Sequence, residues 1–133
     1  MKLLFTGASG FLGRNIYQLL EKTYVIKTVG LTPQDDYKID IARNIPVLEV
    51  FDIVLHAAGK AHSTPKTEEE KQAFFDVNLQ GTKNLCTALE QSGIPKAFIF
   101  ISTVAVYGCD SGENITEEHP LNGTTPYALS KIK

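Results

Sequence analysis

The sequence predicts an α/β fold in which a parallel sheet of about five strands lies between two layers of helices. Two observations favour this class. Short apolar runs alternate with stretches of helical periodicity from the first residue onward, and a glycine-rich turn lies between the first apolar run and the first helical stretch. The chain has 133 residues, of which 43% are hydrophobic and 21% charged, which is typical of one globular domain with a core.

The first part of the chain predicts a βαβ unit followed by a short strand. The segment from Met1 to Phe5 is a strand, and Tyr24 to Val29 is a second one. A third short strand is expected from Tyr37 to Ile41, and Val47 to Phe51 forms at most a brief helix. The helix between the first two strands is indicated by apolar residues at helical spacing, namely Leu12, Ile16, Leu19 and Leu20.

The second part continues the alternation. Asp52 to His56 is predicted as a strand, and Ala97 to Ile101 as another whose apolar run suits burial on both faces. Between them, Thr67 and Glu70 have the spacing of a capping box, so a long helix should begin there and end at Gly93. Its core positions are Phe74, Val77, Leu79, Leu85 and Leu89, and a last helix should begin at Thr125-Pro126.

Charge and cysteine content exclude several classes of partner. The formal net charge is −2 and no block of Lys or Arg occurs, which argues against nucleic acid and anionic membranes as partners. The apolar start Leu3-Leu4-Phe5 is too short for a signal peptide, and no run is long enough to span a membrane. Cys86 is interpreted as a core residue and Cys109 as a loop thiol. A cytoplasmic protein is therefore expected.

The glycine turn predicts a Rossmann-type three-layer αβα domain with a dinucleotide site. Its sequence is Thr6-Gly7-Ala8-Ser9-Gly10-Phe11-Leu12-Gly13. Glycine permits the tight turn and lets the backbone approach a pyrophosphate, and the third glycine allows close packing of helix on sheet. The helix N-terminus then offers free N–H groups and a partial positive charge to the phosphates.

The spacing of this turn, together with five further segments, resembles the extended short-chain dehydrogenase/reductases, specifically the nucleotide-sugar epimerase/dehydratase family. The segments occur in the family's order over the whole chain: Asp40-Ile41, His56-Ala57-Ala58-Gly59, Asn78, Ser102-Thr103-Val104-Ala105-Val106-Tyr107-Gly108 and Tyr127-Ala128-Leu129-Ser130-Lys131.

The resemblance implies an NAD(P) site and a catalytic trio. Tyr127 would exchange a proton with a sugar hydroxyl while hydride moves to or from nicotinamide, Lys131 would also hold the nicotinamide ribose, and Thr103 would hydrogen-bond the reacting oxygen. The implied cofactor-binding residues are Gly7, Ser9, Gly10, Phe11, Leu12, Gly13, Asp40, Ile41, Ala57, Ala58, Gly59, Asn78, Ser102, Tyr127 and Lys131.

The residues themselves support this chemistry. Tyr127 and Lys131 stand four apart at a helix start, so their side chains share a face. A phenol has a reference pKa of about 10, and a nearby ammonium group favours its ionised form. Tyr107 is interpreted as structural, His56 as a hydrogen-bonded core histidine and His62 as a loop residue.

The choice of dinucleotide stays open at this level, with NAD preferred over NADP. The predicted end of the second strand, Val29-Gly30-Leu31-Thr32, offers neither the carboxylate typical of NAD sites nor an arginine. Arg14, directly after the last glycine of the turn, could approach the 2′-phosphate of NADP.

Three functions remain possible: a nucleotide-sugar epimerase, dehydratase or reductase, a reductase acting on a non-sugar substrate, and a non-catalytic dinucleotide sensor. Retention of Tyr127 and Lys131 argues against the sensor. Residues 1–133 are expected to be the incomplete N-terminal part of the Rossmann domain, without the remaining strands and the C-terminal substrate domain. Such a fragment should have no turnover and should self-associate through its exposed strand edge.

Overall fold

The computed structural model describes residues 1–61 and 63–133; His62 lies outside the described residues. Five strands form one parallel sheet in the order β3-β2-β1-β4-β5, which confirms the predicted α/β class. The chain winds outward in both directions from β1, so the order reverses between β1 and β4. The strands are β1 (Lys2–Thr6), β2 (Val25–Gly30), β3 (Tyr37–Lys38), β4 (Ile53–His56) and β5 (Ala97–Phe100).

The helices begin where the predicted caps lie. Thr67 Oγ1 accepts a hydrogen bond from the Glu70 N–H at 3.2 Å, and Thr125 Oγ1 accepts one from the Ala128 N–H at 3.1 Å. The helices are α1 (Phe11–Leu20), α2 (Glu68–Phe74), a π-helical turn (Phe75–Gln80), α3 (Gly81–Ser92), a 3₁₀ helix (Val104–Tyr107) and α4 (Pro126–Ile132). The predicted long helix is therefore interrupted by a π-helical turn.

Two apolar clusters cover the two faces of the central strands. Leu4 and Val54 pack with Leu85 and Leu89 of α3. On the other face, Leu3, Phe5 and Leu55 pack with residues of α1, among them Ile16 and Leu20. Because successive side chains of a strand point to opposite faces, α1 and α3 lie on opposite sides of the sheet, as a three-layer arrangement requires.

Several predicted features differ from the structure. β3 has two residues rather than five. No helix forms over 47–51, which is within the expectation of at most a brief one, because Pro46 and the β-branched Val47 and Val50 disfavour it. Cys86 is half-buried rather than a full core residue, and Cys109 is exposed as expected.

The largest departure concerns β5. Ala97, Phe98 and Ile99 are exposed, although their apolar run predicts burial on both faces. The physical reason is position: β5 pairs with β4 alone and forms an edge of the sheet.

Candidate active site

The glycine turn joins β1 to α1 in the conformation that its spacing predicts. Gly7 has φ +80°, a backbone region that favours glycine, and its carbonyl accepts a hydrogen bond from the Gly10 N–H at 3.0 Å. A Cβ at Gly7 would lie 2.6 Å from the Ala58 nitrogen and 2.7 Å from the Ala57 carbonyl carbon. The first glycine is therefore required both by its φ and by the close approach of the turn after β4.

The third glycine brings α1 directly onto the turn. A Cβ at Gly13 would lie 2.4 Å from both the Gly7 and the Ala8 carbonyl oxygens. Gly10 caps α1 without a side-chain hydrogen bond, so the backbone N–H groups of Phe11 and Leu12 in its first turn remain free of a side-chain acceptor. This is the arrangement that binds a phosphate at a helix N-terminus.

A cavity of about 400 Å³ opens at the carboxyl ends of the strands, beside the glycine turn. In doubly wound sheets, ligands bind where the strand order reverses, which is here between β1 and β4. Eight of the predicted cofactor residues line the cavity: Gly7, Ser9, Gly10, Asp40, Ile41, Ala57, Ala58 and Gly59.

The segment of Asp40 and Ile41 is fixed from two sides. Asp40 Oδ1 accepts a hydrogen bond from the Ala42 N–H at 3.0 Å. The Ile41 carbonyl accepts one from Asn84 Nδ2, on α3, at 2.7 Å. The part of the cavity wall that Asp40 and Ile41 form is therefore held against α3.

His56, the last residue of β4, joins the sheet to the π-helical turn through a chain of hydrogen bonds. Thr82 Oγ1 donates to the Asn78 carbonyl at 2.6 Å, so it can only accept from His56 Nε2, at 2.8 Å. His56 Nδ1 then accepts from Thr6 Oγ1 at 2.6 Å, and Thr6 Oγ1 accepts from the Ala58 N–H at 3.2 Å. The interpretation of His56 as a hydrogen-bonded core histidine is confirmed.

The charge state of His56 follows from its surroundings. The side chain is buried, and burial together with the positive charge of Lys131 lowers the pKa of His56 to about 4. The imidazole is therefore neutral at pH 7, with its proton on Nε2.

Asn78 lies in the π-helical turn, buried, and its amide joins three segments. Asn78 Oδ1 accepts from the Lys60 N–H at 2.7 Å, while Nδ2 donates to the Lys60 carbonyl at 3.0 Å. The same Nδ2 donates to Ser130 Oγ of α4 at 2.8 Å. A π-helical turn inside an α-helix is frequently found at a functional site, and here it holds this amide between the turn after β4 and α4.

Lys131 of α4 reaches toward the same place. Its Nζ donates to the Ile101 carbonyl at 3.0 Å and lies 4.5 Å from the centre of the Phe100 ring. A Cβ at Gly59 would lie 3.1 Å from Asn78 Oδ1 and 3.3 Å from Lys131 Nζ. Burial lowers the pKa of Lys131. Lys131 and Asn78 thus flank Gly59, at the rim of the cavity.

Tyr127 and Thr103 occupy the neighbouring segments. The Tyr127 ring is half-buried and lies 6.2 Å from the Phe74 ring at 50°. Thr103 caps the 3₁₀ helix, its Oγ1 accepting from the Ala105 N–H at 3.2 Å, and that helix packs against α4. Ser102, which precedes Thr103, is exposed.

The sequence did not predict a carboxylate at the end of β2, and the structure places one there. Thr32 N and Oγ1 donate to Asp35 Oδ2 at 2.9 and 2.6 Å, and the carboxylate lies against Gly30. The spacing of Thr32-Pro33-Gln34-Asp35, with proline inside the turn, could have indicated such a turn. Ser130 was missed because its role depends on contact with Asn78.

Other ligand classes receive no support from the described residues. No three His, Cys, Asp or Glu side chains in 1–61 and 63–133 come together as a group that could hold a metal ion. In the same residues, no helix is both long and apolar enough to cross a membrane.

The parallel sheet, the glycine turn and the cavity between β1 and β4 together define a dinucleotide-binding domain of the Rossmann type. Residues 3–133 match the NAD dependent epimerase/dehydratase family, and the chain belongs to that family.

The relatives include enzymes of nucleotide-sugar and lipid-linked sugar chemistry. The chain is 33% identical over 97% of its length to N-acetyl-alpha-D-glucosaminyl-diphospho-ditrans,octacis-undecaprenol 4-epimerase of Escherichia coli O157:H7, covering 40% of that protein. It is 31% identical over 98% of its length to GDP-6-deoxy-D-mannose reductase of Pseudomonas aeruginosa, covering 44% of it. The chain thus spans less than half the length of these relatives.

Solved structures agree with the fold. A variant of UDP-glucuronic acid 4-epimerase from Bacillus cereus, in complex with a fluorinated UDP-glucuronic acid and NAD, superposes with a TM-score of 0.80 at 26% identity. The match covers 99% of this chain and 49% of that one.

Proposed function

We propose that this chain is the cofactor-binding part of an NAD(P)-dependent enzyme that epimerises, dehydrates or reduces a nucleotide sugar. The observation that carries the proposal is the continuity of the site. One cavity runs from the glycine turn to Gly59, and a Cβ at Gly59 would lie 3.1 Å from Asn78 Oδ1 and 3.3 Å from Lys131 Nζ. The relatives that act on nucleotide sugars supply the substrate class.

The residues fit a dinucleotide along this cavity. The pyrophosphate would lie on the free N–H groups at the start of α1, where a side chain at Gly7 or Gly13 would collide with backbone. Asp40 and Ile41 would contact the adenine, and Ala57, Ala58 and Gly59 would line the path toward the nicotinamide. Bound there, the cofactor would supply a ring that accepts and returns hydride.

Tyr127 would exchange the proton of the reacting sugar hydroxyl. Lys131, on the same face of α4, would stabilise the phenolate and hold the nicotinamide ribose. The bond from Lys131 to the Ile101 carbonyl fixes α4 relative to the residue that follows β5, and the bond from Asn78 to Ser130 fixes it relative to the π-helical turn. Thr103, at the start of the 3₁₀ helix, would hydrogen-bond the reacting oxygen.

Calorimetric titration of NAD onto the chain, with Lys131→Gln and Lys133→Gln as a matched pair, tests the proposal. Lys131 lies in the last turn of α4 and Lys133 is its C-cap, but Lys131 flanks Gly59 whereas Lys133 lies over the Phe75 ring. We expect the Lys131 variant to weaken NAD binding about tenfold, the loss typical of one charged hydrogen bond, and the Lys133 variant to bind like the wild type. Absence of NAD binding by the wild-type chain, or equal losses in both variants, would contradict the proposal.

Catalysis by the chain alone is a separate question. Because it spans less than half the length of its relatives, we expect it to bind cofactor without oxidising, reducing or epimerising a nucleotide sugar. Turnover of such a sugar by the purified chain would show this expectation to be wrong. The substrate and the reaction remain proposals for the whole enzyme.

Self-association and a cytoplasmic setting complete the proposal. The β5 edge exposes Phe98 and Ile99, and an exposed apolar strand edge favours pairing with another chain. Sedimentation should show dimers or larger species, reduced by Ile99→Lys, and a wild-type monomer would contradict this.

Cys86 and Cys109 are both free thiols, which agrees with a reducing compartment.

A further inference from the structure

Two hydroxyl groups bind the two ring nitrogens of His56. Thr6 Oγ1, at the end of β1, donates to Nδ1 at 2.6 Å, and Nε2 donates to Thr82 Oγ1 at 2.8 Å. Thr6 and His56 lie in register on neighbouring strands, and both side chains are buried. Within residues 1–61 and 63–133 the ring forms no other hydrogen bond, so each nitrogen has one partner. We refer to Thr6, His56 and Thr82 as the histidine link.

The rest of the His56 ring lies among aromatic side chains of β5. Its centre is 6.0 Å from that of the Phe98 ring and 5.7 Å from that of the Phe100 ring. A buried ring nitrogen that loses its hydrogen bond in such a place costs free energy, because no water replaces the partner. The two hydroxyl groups therefore fix the orientation of the ring, and the ring joins the end of β1 to the start of α3.

Thr82 continues the histidine link into the π-helical turn. Its hydroxyl donates to the Asn78 carbonyl at 2.6 Å. A threonine hydroxyl that binds the carbonyl one turn before it competes with the regular helix bonds and bends the helix. The backbone pattern changes at this point, since the Gly81 N–H donates to the Asp76 carbonyl, as a π-helix requires. The Thr82 hydroxyl thus holds the Asn78 backbone where the π-helical turn gives way to α3.

The Asn78 amide carries the chain of hydrogen bonds on to α4. Asn78 Nδ2 donates to Ser130 Oγ at 2.8 Å, and Ser130 Oγ donates to the Tyr127 carbonyl at 2.8 Å. Asn78 and Ser130 are both buried. A continuous path of hydrogen bonds therefore runs from the end of β1, beside the glycine turn, to the helix that carries Tyr127 and Lys131.

We propose that His56 is a positioning residue for the cofactor site, which acts through Thr82 to hold Asn78 and α4 where a bound dinucleotide requires them. The inference rests on the proposed function, since it assumes that a dinucleotide occupies the cavity beside the glycine turn. Neither His56 nor Thr82 is among the described residues that line this cavity, so their effect on binding must pass through other residues. The π-helical turn reaches the cavity, because Val77 lines it and Asn78 flanks Gly59.

A purely structural role for His56 is the alternative. In that case its replacement would lower the free energy of unfolding and leave the dinucleotide affinity of the folded chain unchanged. The positioning role requires a loss of affinity as well, because the cofactor would then have to order a turn and a helix that the wild-type chain already holds in place. It also requires the effect of Thr82 on affinity to depend on the Asn78 amide.

The histidine link offers variants that keep or remove one hydrogen bond. Thr82→Val removes the hydroxyl at nearly constant volume, and Thr82→Ser keeps it. The amide nitrogen of glutamine is the same number of bonds from Cα as the histidine Nε2, so His56→Gln keeps a donor for Thr82. The shorter amide in His56→Asn matches Nδ1 only and leaves Thr82 without its donor.

Thr87→Val is the matched control for Thr82→Val. Thr87 lies further along α3 and is half-buried like Thr82. Its side chain forms no hydrogen bond to the part of the chain that the structure describes, and it does not line the cavity beside the glycine turn. Thr87→Val therefore makes the same chemical change in the same helix without touching the histidine link.

The experiment is a set of calorimetric titrations of NAD onto the wild-type chain and these variants, with circular dichroism to confirm folding and urea unfolding to measure stability. We expect Thr82→Val and His56→Asn to weaken NAD binding about fivefold, a loss typical of one uncharged hydrogen bond. Thr82→Ser, His56→Gln and Thr87→Val should bind NAD within about twofold of the wild type. In an Asn78→Ala background, Thr82→Val should cause no further loss, because the amide through which it acts is absent.

Hydrogen exchange adds a measurement that needs no cofactor. Thr82→Val should speed amide exchange in the π-helical turn and in α4, and leave exchange in α1 unchanged, because only the first two depend on the histidine link. Thr87→Val should change none of the three. Unchanged exchange in α4 of the Thr82→Val variant would overturn the proposal.

The remaining outcomes separate this inference from the proposed function. If the wild-type chain binds NAD and the folded Thr82→Val and His56→Asn variants bind it equally well, His56 is structural and the positioning role is wrong. Losses that add in the Asn78→Ala background overturn the route through Asn78. If the wild-type chain binds no NAD, the proposed function fails and the positioning role for the cofactor fails with it, whereas faster exchange in Thr82→Val would still show that the histidine link orders α4.

Discussion

The two sides of the cavity beside the glycine turn are held by different forces. On the glycine-turn side, Leu4 of β1 and Val54 of β4 are fully buried, with helices on both faces of the sheet. On the Tyr127 side, Ile99 of β5 is 47% exposed. There the position of α4 depends on polar contacts such as the hydrogen bond from Lys131 Nζ to the Ile101 carbonyl. Apolar burial thus fixes the glycine turn, and hydrogen bonds fix the segment that carries Lys131.

Truncating one apolar side chain on each side should separate the two most clearly. Leu4→Ala should lower the free energy of unfolding by about 3 kcal/mol, because it removes fully buried methyl groups and leaves a cavity. Ile99→Ala should cost about 1 kcal/mol or less, since the side chain is half exposed. Urea unfolding of both variants measures the difference, and equal losses would contradict it.

Lowering the pH should reduce the free energy of unfolding through the titration of His56. Its pKa is about 4 in the folded chain, whereas an unfolded histidine titrates near about 6.5, so the unfolded state binds more protons between these values. Stability from this group is complete above the unfolded pKa. It should fall by about 3 kcal/mol as the pH drops to 4.

Comparison with His56→Gln isolates this contribution from that of the carboxylates. The variant should lose about 3 kcal/mol less than the wild type over the same pH range, because glutamine does not titrate there. If the wild type and His56→Gln respond alike to pH, His56 is not buried as neutral imidazole.

The sequence predicted well those features, on both sides, whose signals are local. The apolar runs of β1 and β4, the glycine spacing and the caps Thr67 and Thr125 each act within a few residues. The burial of β5 could not be predicted in the same way, because an apolar run is the same whether a strand is central or at an edge.

The missed features of the site all depend on contacts between distant residues. The π-helical turn that places Asn78 has no local sequence signal, and its amide bonds involve Lys60 and Ser130. Asp35 reaches the end of β2 only because the loop folds back and Gly30 leaves space. The catalytic roles of Thr103 and Tyr127, like the cofactor role of each residue in the cavity, stay predictions.

A pair of helix glycines tests how closely the turn is packed. Gly13→Ala should cost about 2 kcal/mol, because its Cβ would lie 2.4 Å from two backbone carbonyl oxygens that cannot move easily. Gly81→Ala should stabilise the chain by about 0.5 kcal/mol. The nearest atom to a Cβ at Gly81 would be Ile41 Cγ1 at 3.5 Å, and alanine has a higher helix propensity than glycine. Thermal unfolding of both variants measures the two effects. If both substitutions destabilise the chain, the space around Gly81 at the start of α3 is as tight as that around Gly13.

The caps of α2 and α4 should contribute equally to stability. Thr67→Ala and Thr125→Ala should each cost about 1 kcal/mol, because each removes the side-chain acceptor of one helix N–H group. Their effects on NAD affinity should differ. α4 carries Tyr127 and Lys131, so loosening its first turn should weaken NAD binding, whereas α2 contributes no residue to the cavity among those described. Calorimetry on the two variants decides the point. Equal affinities would mean that the Lys131 and Asn78 contacts alone hold α4 in place.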